Sequence, residues 1–319
     1  MTRMKRESPM VMAALLALVA PVLALADSAP RSEGQVSRSC GGLGVFAHRG
    51  DLSAPENSLR AITAAANDGW PGVELDLQSL ADGAWALHHD PVLGLKTDVA
   101  GVRSTELTSE QWRMVRLRDR NGALTNDRGA FLSDVIGEEQ LSALTLNMEV
   151  KEPFVSCART TTLLHAVDGR DGRLWFFTSV DPRHLSCLRD ASADQYLGLV
   201  VLDPDSAIKK VPGALGNMIR SRLPQGFRIN DQVIAEFART VPPPAGLHVE
   251  LSVLEQDPSL PERLQQHGLS LMAYSKRDSR AIANALLPFK ARFGDLIRGA
   301  IIEGDWRTFC TIMEGRVKA

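Results

Sequence analysis

The chain has 319 residues, of which 44% are hydrophobic and 23% are charged, a composition typical of a globular protein with a large core. Its formal net charge of −2 argues against the basic surface of a nucleic-acid-binding protein and against a polybasic membrane anchor. The sequence has no internal repeat and no long low-complexity tract.

The amino-terminal segment has the parts of a secretory signal peptide. Three basic residues, Arg3, Lys5 and Arg6, precede an apolar run over residues 10–26 that ends in Ala-Leu-Ala. Small residues at these two alanine positions are typical of a signal-peptidase site. A membrane anchor is the alternative, but the run is shorter than the roughly 20 residues that span a bilayer, and a proline interrupts it.

These features predict the domain boundaries and the location. Residues 1–26 are expected to be a signal peptide that is removed during export to the periplasm or the cell exterior. Residues 27–43 are then a polar leader, and residues 44–319 form a single domain. No later apolar run is long enough to span a bilayer, so we expect no stable membrane anchor after cleavage.

Strand and helix patterns alternate from residue 44 to the end of the chain. The strand candidates are residues 44–48, 72–80, 84–89, 143–150, 173–179, 195–202, 247–252, 269–275 and 298–303. Such alternation predicts an α/β fold with a parallel sheet and helices outside it, and the length suits one (β/α)8 TIM barrel of about 250 residues. A doubly wound open sheet is the alternative, although no glycine-rich dinucleotide loop follows any strand.

Several helix starts can be read from capping residues. Thr108 and Gln111 have the spacing of a capping box. Asp181 and Asp257 are each followed by proline, which predicts a helix whose cap is the aspartate and whose first turn contains the proline.

The early part of the chain has one strand more than the barrel needs. Residues 72–80 and 84–89 are separated by only about three residues, whereas a parallel crossover needs a dozen or more. We therefore predict a β-hairpin at about residues 72–89.

The hairpin brings acidic and basic side chains together. With Asp82 and the following glycine as a two-residue turn, Asp76 lies opposite His89. Glu74 is two residues from Asp76 and shares its face of the strand. A register change of one residue would put His88 opposite Asp76 instead.

The four cysteines predict disulfides in an exported protein. They are Cys40, Cys157, Cys187 and Cys310, which allow three pairings. Because Cys40 precedes the first strand and Cys310 follows the last, a closed fold favours the pairs 40–310 and 157–187. Four buried thiols are the alternative.

Polar side chains near the carboxyl ends of the barrel strands predict an active site. Glu74, Asp76 and Glu149 are enough carboxylates to bind Ca²⁺ or Mg²⁺. His48 and His89 could supply a proton donor and a proton acceptor.

Two cations in the same segments, Arg49 and Lys151, could bind phosphate. Each of these residues alone also has a structural interpretation, such as a satisfied buried histidine, an exposed hairpin face or an ion pair. The prediction of an active site would fail only if all of these structural interpretations held at once.

The motifs and their order resemble the glycerophosphodiester phosphodiesterase family. The matching segments are His48-Arg49-Gly50, Pro55-Glu56-Asn57-Ser58, Glu74-x-Asp76, Asp82-Gly83 followed by His89-Asp90, and Glu149-Val150-Lys151. The resemblance is dense over residues 45–151 and faint afterwards.

The resemblance implies a metal-dependent phosphodiesterase on a (β/α)8 barrel. It implies the metal ligands Glu74, Asp76 and Glu149, the general acid–base pair His48 and His89, and the substrate contacts Arg49, Lys151, Glu56 and Asn57. The implied substrate is a small glycerophosphodiester, with no nucleic acid as partner, and the products are glycerol 3-phosphate and an alcohol. The implied cofactor is a divalent cation, Ca²⁺ or Mg²⁺.

The later strands depart from the family pattern. Tyr274 and its neighbours stand where the family tends to have a Trp-Thr pair, and "IIEGDW" replaces the usual TDxP strand end. Glu250, on a late strand, reaches either the pocket or a salt bridge at its rim. The alternatives are therefore a phospholipase D-like lyase, a phosphodiesterase for another lipid or alcohol diester, and a non-catalytic secreted binding protein.

Overall fold

A computed structural model describes residues 40–167, 174–202 and 229–315. The described residues fall within one unit, residues 32–319. The predicted signal peptide and most of the predicted leader lie outside the described residues, so these two predictions stay predictions. Within the described ranges, no helix combines the length and the apolar character that crossing a bilayer requires.

The described strands follow the predicted alternation. They are β1 (Gly44–His48), β2 (Gly72–Ser79), β3 (Trp85–Leu87), β4 (Arg116–Arg118), β5 (Leu124–Arg128), β6 (Thr145–Val150), β7 (Trp175–Ser179), β8 (Leu197–Val201), β9 (Ala245–Glu250), β10 (Ser270–Ser275) and β11 (Ile297–Ile302). All nine predicted strands are present, with ends that differ by a few residues at most.

The helices of the described residues lie between these strands. They are α1 (Leu59–Asn67), α2 (Ser109–Met114), α3 (Leu132–Gly137), α4 (Cys157–Val167), α5 (Pro182–Ala191), α6 (Asp231–Thr240), α7 (Leu251–Gln256), α8 (Leu260–Gln265), α9 (Ser279–Phe293) and α10 (Trp306–Met313).

Eight parallel strands close into a barrel, which confirms the predicted TIM-barrel fold. Their order is β1-β11-β10-β9-β8-β7-β6-β2, and β2 pairs back with β1. This closure excludes the open doubly wound sheet. An interior cluster of large side chains, Phe46, Phe176, Tyr196, Met272 and Ile301, fills the barrel, and a larger apolar layer lies between the strands and the helices.

The predicted hairpin is confirmed, but its predicted register is wrong by one residue. β3 pairs antiparallel with β2, with Leu77 opposite Leu87, and the His88 backbone N–H donates to the Asp76 carbonyl at 3.0 Å. The loop has three residues rather than two, because the Leu80 N–H donates to Ala84 O at 2.9 Å. Asp76 therefore lies opposite His88, not His89.

A second hairpin, β4–β5, was not predicted. Its turn contains Asn121 and Gly122, and Gly122 has a φ of +82°. The residues of β5 alternate between exposed and half-exposed, and none of them is buried. Its sequence, "LTNDR", has only one strongly apolar side chain. Periodicity that depends on burial could not reveal such a strand.

Two of the three capping predictions are confirmed. Thr108 and Gln111 form a capping box on α2, and Asp181 caps α5 through the Arg183 N–H. The prediction for Asp257 is wrong, because it is the C-cap of α7 and Ser259 precedes α8. A proline at the start of α8 itself lets that helix begin later.

Both predicted disulfides are present. Cys40 pairs with Cys310, with Cα atoms 4.6 Å apart, and joins the segment before β1 to α10. Cys157 pairs with Cys187, with Cα atoms 5.1 Å apart, and joins α4 to α5. No free cysteine remains among the described residues.

Candidate active site

Four of the predicted site residues lie side by side on three neighbouring strands. His48 ends β1 and lies beside Glu74 on β2. Asp76, two residues further along β2, lies beside Glu149 on β6. Because side chains two apart share a face of a strand, this register brings the four groups to one side of the barrel wall.

Three buried carboxylates form the centre of the site. Ligand atoms of Glu74, Asp76 and Glu149 all lie within 4.8 Å of one another, and the residues are 2%, 0% and 8% exposed. Burial and the nearby charge of Asp76 raise the pKa of Glu74 well above its usual range. Three buried carboxylates this close together raise the free energy of the folded state unless cations offset their charge.

The same cluster has oxygen atoms available for a ligand. Asp76 Oδ1 and Glu149 Oε1 make no well-aligned hydrogen bond with any described residue. Lys151 Nζ lies 3.4 Å from the first and 2.7 Å from the second, as an ion pair. Three buried carboxylates at this spacing fit a hard divalent cation, so the described residues could hold a metal.

Arg49 contacts the Asp76 oxygen that Lys151 does not approach. Its Nε lies 2.8 Å from Asp76 Oδ2, and its backbone N–H donates to Glu74 Oε2 at 3.1 Å. Burial opposes ionisation of Asp76, but the charges of Arg49 and Lys151 hold its pKa well below the usual range. Asp76 is therefore a carboxylate at neutral pH.

The turn after β1 explains the sequence His-Arg-Gly. Arg49 has a φ of 60° and Gly50 a φ of +91°. A Cβ at Gly50 would lie 2.7 Å from the Cβ of Ala61, so the turn requires glycine there. A non-glycine residue with positive φ is strained, and Arg49 tolerates it at a point where its backbone and side chain both contact carboxylates.

Glu56 and Asn57, expected to be substrate contacts, contact protein groups. Glu56 Oε1 accepts from Arg49 Nη1 at 3.0 Å, and Lys96 Nζ lies 3.4 Å from its other oxygen. The Asn57 amide donates to Asp76 Oδ2 at 2.8 Å and accepts from the Asp76 backbone N–H at 3.0 Å. The two side chains fix the positions of Arg49 and Asp76.

His48 has a carboxylate partner that sequence reasoning missed. Its Nδ1 lies 2.8 Å from Glu303 Oε1, and Arg120 Nη1 donates to Glu303 Oε2 at 3.2 Å. Burial lowers the pKa of His48 to about 4, although the Glu303 hydrogen bond acts in the other direction. Burial opposes ionisation of Glu303, but the hydrogen bond with His48 brings its pKa to about 2.

At neutral pH this pair is a neutral imidazole and a carboxylate. The carboxylate can only accept, so Nδ1 of His48 carries the proton and Nε2 keeps its lone pair. The signal for Glu303 was the segment "IIEGDW", which departs from the family pattern and places a carboxylate directly after β11.

His89 and His88 have different surroundings. His89 follows β3 with a side chain 27% exposed, and its Nδ1 lies 2.7 Å from Asp90 Oδ1. The hydrogen bond with His89 lowers the pKa of Asp90. His88 is buried with its ring 5.5 Å from that of Trp112, as expected for a structural residue.

Known structures share the fold. A glycerophosphodiester phosphodiesterase from Parabacteroides distasonis matches with a TM-score of 0.60 and 15% identity, over 88% of this chain and all (100%) of that chain. A phosphodiesterase from Oleispira antarctica, solved with the product sn-glycerol-3-phosphate, matches with a TM-score of 0.58 and 18% identity, over 85% of this chain and 95% of that one.

Curated relatives match a shorter segment. Glycerophosphodiester phosphodiesterase 1 from Homo sapiens is 42% identical over 114 residues, and that from Bos taurus is 40% identical over 114 residues. Each alignment covers 34% of this chain, and it spans about a third of the length of the relative, 34% and 33% respectively. The model of the glycerophosphoryl diester phosphodiesterase family matches residues 48–288, which is most of the chain. The chain therefore belongs to the glycerophosphoryl diester phosphodiesterase family.

Proposed function

We propose that this protein is an exported, metal-dependent phosphodiesterase that hydrolyses glycerophosphodiesters to glycerol 3-phosphate and an alcohol. The observation that carries the proposal is the buried cluster of Glu74, Asp76 and Glu149, flanked by two cations at the carboxyl end of a barrel of this family. His48 is the register partner of Glu74, His89 follows the residue opposite Asp76, and each histidine has a carboxylate at its Nδ1.

Glu74, Asp76 and Glu149 would hold the metal. A donor set made only of carboxylate oxygens favours Ca²⁺ or Mg²⁺ over softer metals. When bound, the cation would neutralise charge on the phosphoryl oxygens and make the phosphorus more electrophilic.

Arg49 and Lys151 would bind and orient the phosphodiester. Both side chains are largely buried, and each lies beside a different oxygen of Asp76. Their charges are fixed by these contacts, since the neighbouring carboxylates raise the pKa of Lys151 even though burial acts to lower it. They would stabilise the negative charge that develops on the non-bridging oxygens.

The histidines would move the protons. Neutral His48, held by Glu303, would accept a proton from the attacking water at Nε2 as the new phosphorus–oxygen bond forms. His89 would donate a proton to the alcohol oxygen as its bond to phosphorus breaks. Asp90 would stabilise the imidazolium form of His89.

Export accounts for the disulfides. Two disulfides among the described residues suit an oxidising compartment, and an apolar segment with an Ala-Leu-Ala end begins the chain. Amino-terminal sequencing of the protein recovered outside the cytoplasm should begin at Asp27.

Phosphorus NMR of the products tests the proposed reaction. Purified protein would be incubated with glycerophosphocholine and Ca²⁺, Mg²⁺ or EDTA, beside a Glu149→Gln variant. We expect the glycerol 3-phosphate signal with a metal, and its loss with EDTA and in the variant. A cyclic phosphate product would indicate the lyase alternative instead of hydrolysis. The absence of any product with either metal would contradict the proposed activity.

A further inference from the structure

Strand β2 carries a buried polar side chain, Gln78, that the proposed mechanism does not use. Gln78 lies two residues after the carboxylate Asp76, so the two side chains leave β2 on the same face. Gln78 is fully buried. A buried amide needs partners for both of its ends, because an unpaired buried polar group destabilises the fold. The partners of Gln78 therefore indicate what it holds in place.

Both ends of the Gln78 amide have partners near the β2–β3 hairpin. The amide nitrogen donates to the backbone carbonyl of His89 at 3.0 Å. Ser104 Oγ donates to the amide oxygen at 3.3 Å, and Ser104 is also buried. A backbone carbonyl can only accept, so the amide nitrogen has to face His89 and the amide oxygen has to face Ser104. The two contacts thus fix the amide in one orientation.

The backbone of His89 needs such a contact, because β3 ends two residues before it. Regular strand pairing therefore does not hold this position. The Ser104 backbone N–H donates to the Pro91 carbonyl at 3.2 Å, and Asp90 Oδ1 lies 2.7 Å from Nδ1 of the His89 ring. Gln78 thus links the backbone of His89 to strand β2, while Asp90 holds its ring.

We propose that Gln78 is a positioning residue for His89, which it holds so that the imidazole meets the leaving alcohol oxygen. This inference rests on the proposed function, in which His89 donates the proton to that oxygen. Asp76 and Gln78 share one face of β2, so the same strand positions a proposed metal ligand and the proposed proton donor. Without the Gln78 hydrogen bond the backbone of His89 can shift, and a displacement of about 1 Å is enough to slow a reaction step severely.

Two substrates that differ in their need for a proton test the proposal. Choline leaves glycerophosphocholine as an alkoxide that requires protonation, whereas p-nitrophenol leaves the corresponding diester of glycerol phosphate as a stable anion. In single-turnover assays, Gln78→Met should slow hydrolysis of glycerophosphocholine about tenfold or more, and hydrolysis of the p-nitrophenyl diester about threefold or less. Methionine is close to glutamine in size, so the substitution removes the hydrogen bonds without leaving a cavity.

Two further variants separate positioning from damage to the fold. Ser104→Ala keeps the amide donor of Gln78 and removes only its second partner, so we expect a smaller loss that again affects glycerophosphocholine more than the p-nitrophenyl diester. Gln265→Met, at an exposed position of α8, is the matched control and should change neither rate. An equal loss of both rates in Gln78→Met, or no loss of either, would overturn the proposal.

NMR distinguishes failure of this inference from failure of the proposed function. The ring signals of the histidines would be recorded in the metal-free protein at a fixed pH, without substrate. Gln78→Met should shift or broaden the signal of His89 and leave that of His165 on α4 unchanged. This result would support the positioning contact even if the wild type hydrolysed neither diester, in which case the proposed function alone would fail. An unchanged His89 signal would overturn the inference whichever diester is hydrolysed.

Discussion

Among the individual residues of the site, His48 and Glu303 form a contact that only the closure of the barrel brings about. The two residues are 255 positions apart, and they meet because β1 pairs with β11, with Ala47 beside Ile302. The motifs predicted both histidines and the carboxylates, since these lie in short local segments. No local pattern could identify Glu303, because its partner depends on the two ends of the barrel coming together.

Replacing Glu303 should impair catalysis through His48. In Glu303→Gln the amide no longer provides an ionised acceptor, so the imidazole loses its fixed orientation and tautomer. We expect kcat to fall about 100-fold or more with little change in KM, while Glu303→Asp retains part of the activity. Steady-state kinetics would measure this, with the exposed Glu110→Gln as a control.

An NMR titration of His48 separates positioning from a general structural effect. The Glu303 hydrogen bond raises the pKa of His48 against the stronger lowering by burial. In metal-free Glu303→Gln that pKa should drop below its wild-type value of about 4. An unchanged His48 titration, or an unchanged kcat, would contradict the positioning role.

The carboxylate cluster predicts opposite effects of Glu74→Gln with and without a metal. The substitution removes one of three crowded carboxylates, so the metal-free variant should melt at or above the wild-type temperature. Ca²⁺ or Mg²⁺ at 100 times Kd should stabilise the wild type by about 2.7 kcal/mol and the variant much less. Thermal melts with Asp190→Asn as control would show this, and equal metal-induced shifts would refute it.

Among the secondary-structure elements, the β2–β3 hairpin was predicted from sequence spacing, but its loop length and register were not determined by that spacing. The Asp-Gly pair predicted a hairpin turn, but glycine at positive φ suits three-residue loops as well as two-residue loops. The choice of loop shifted the register by one residue. β3 ends at Leu87, so the alternation of strand faces does not set the direction of His89, and the charge of His89 still helps to lower the pKa of Asp76.

The two disulfides should differ in their contributions to stability. The bond between Cys40 and Cys310 has a sequence separation of 270 residues, and that between Cys157 and Cys187 one of 30. Loop entropy predicts losses of about 5 to 6 and about 3 to 4 kcal/mol when each pair is replaced by serine. Denaturant unfolding would measure both. A larger loss for the 157–187 pair would contradict this ordering.

For the whole molecule, the alternation of strands and helices predicted a parallel sheet with helices outside it, and the chain length favoured the closed barrel over a doubly wound open sheet. Buried strands read as continuous apolar segments, and parallel connections need helices, so both signals are strong. The polar β4–β5 hairpin lacked that signal, although its Arg120 contacts Glu303. The sequence therefore predicted the buried barrel strands well and missed the exposed β4–β5 hairpin.

Buried histidines should make the protein sensitive to acid. Burial, aided by the charge of Arg298, lowers the pKa of His248 to about 3, and burial also lowers the pKa of His184. The unfolded chain, with a histidine pKa of about 6.5, binds more protons than the folded one below that pH. The free energy of unfolding should therefore fall as pH decreases from about 6.5 towards 3, by up to about 4 kcal/mol for His248.

Denaturant unfolding between pH 7 and pH 4 would measure this slope. His248→Leu should flatten the pH dependence, whereas the exposed His165→Ala should leave it unchanged. A wild-type stability that does not change over this range would contradict the neutral buried state of His248.

The proposed reaction depends on two histidines, His48 and His89, each with a carboxylate at its Nδ1. The most direct test measures kcat/KM for glycerophosphocholine with saturating metal in His48→Ala and His89→Ala, beside His165→Ala on α4. We expect a loss of about 100-fold or more in each of the first two variants and none in the third. Activity within a few-fold of wild type in either His48→Ala or His89→Ala would contradict it.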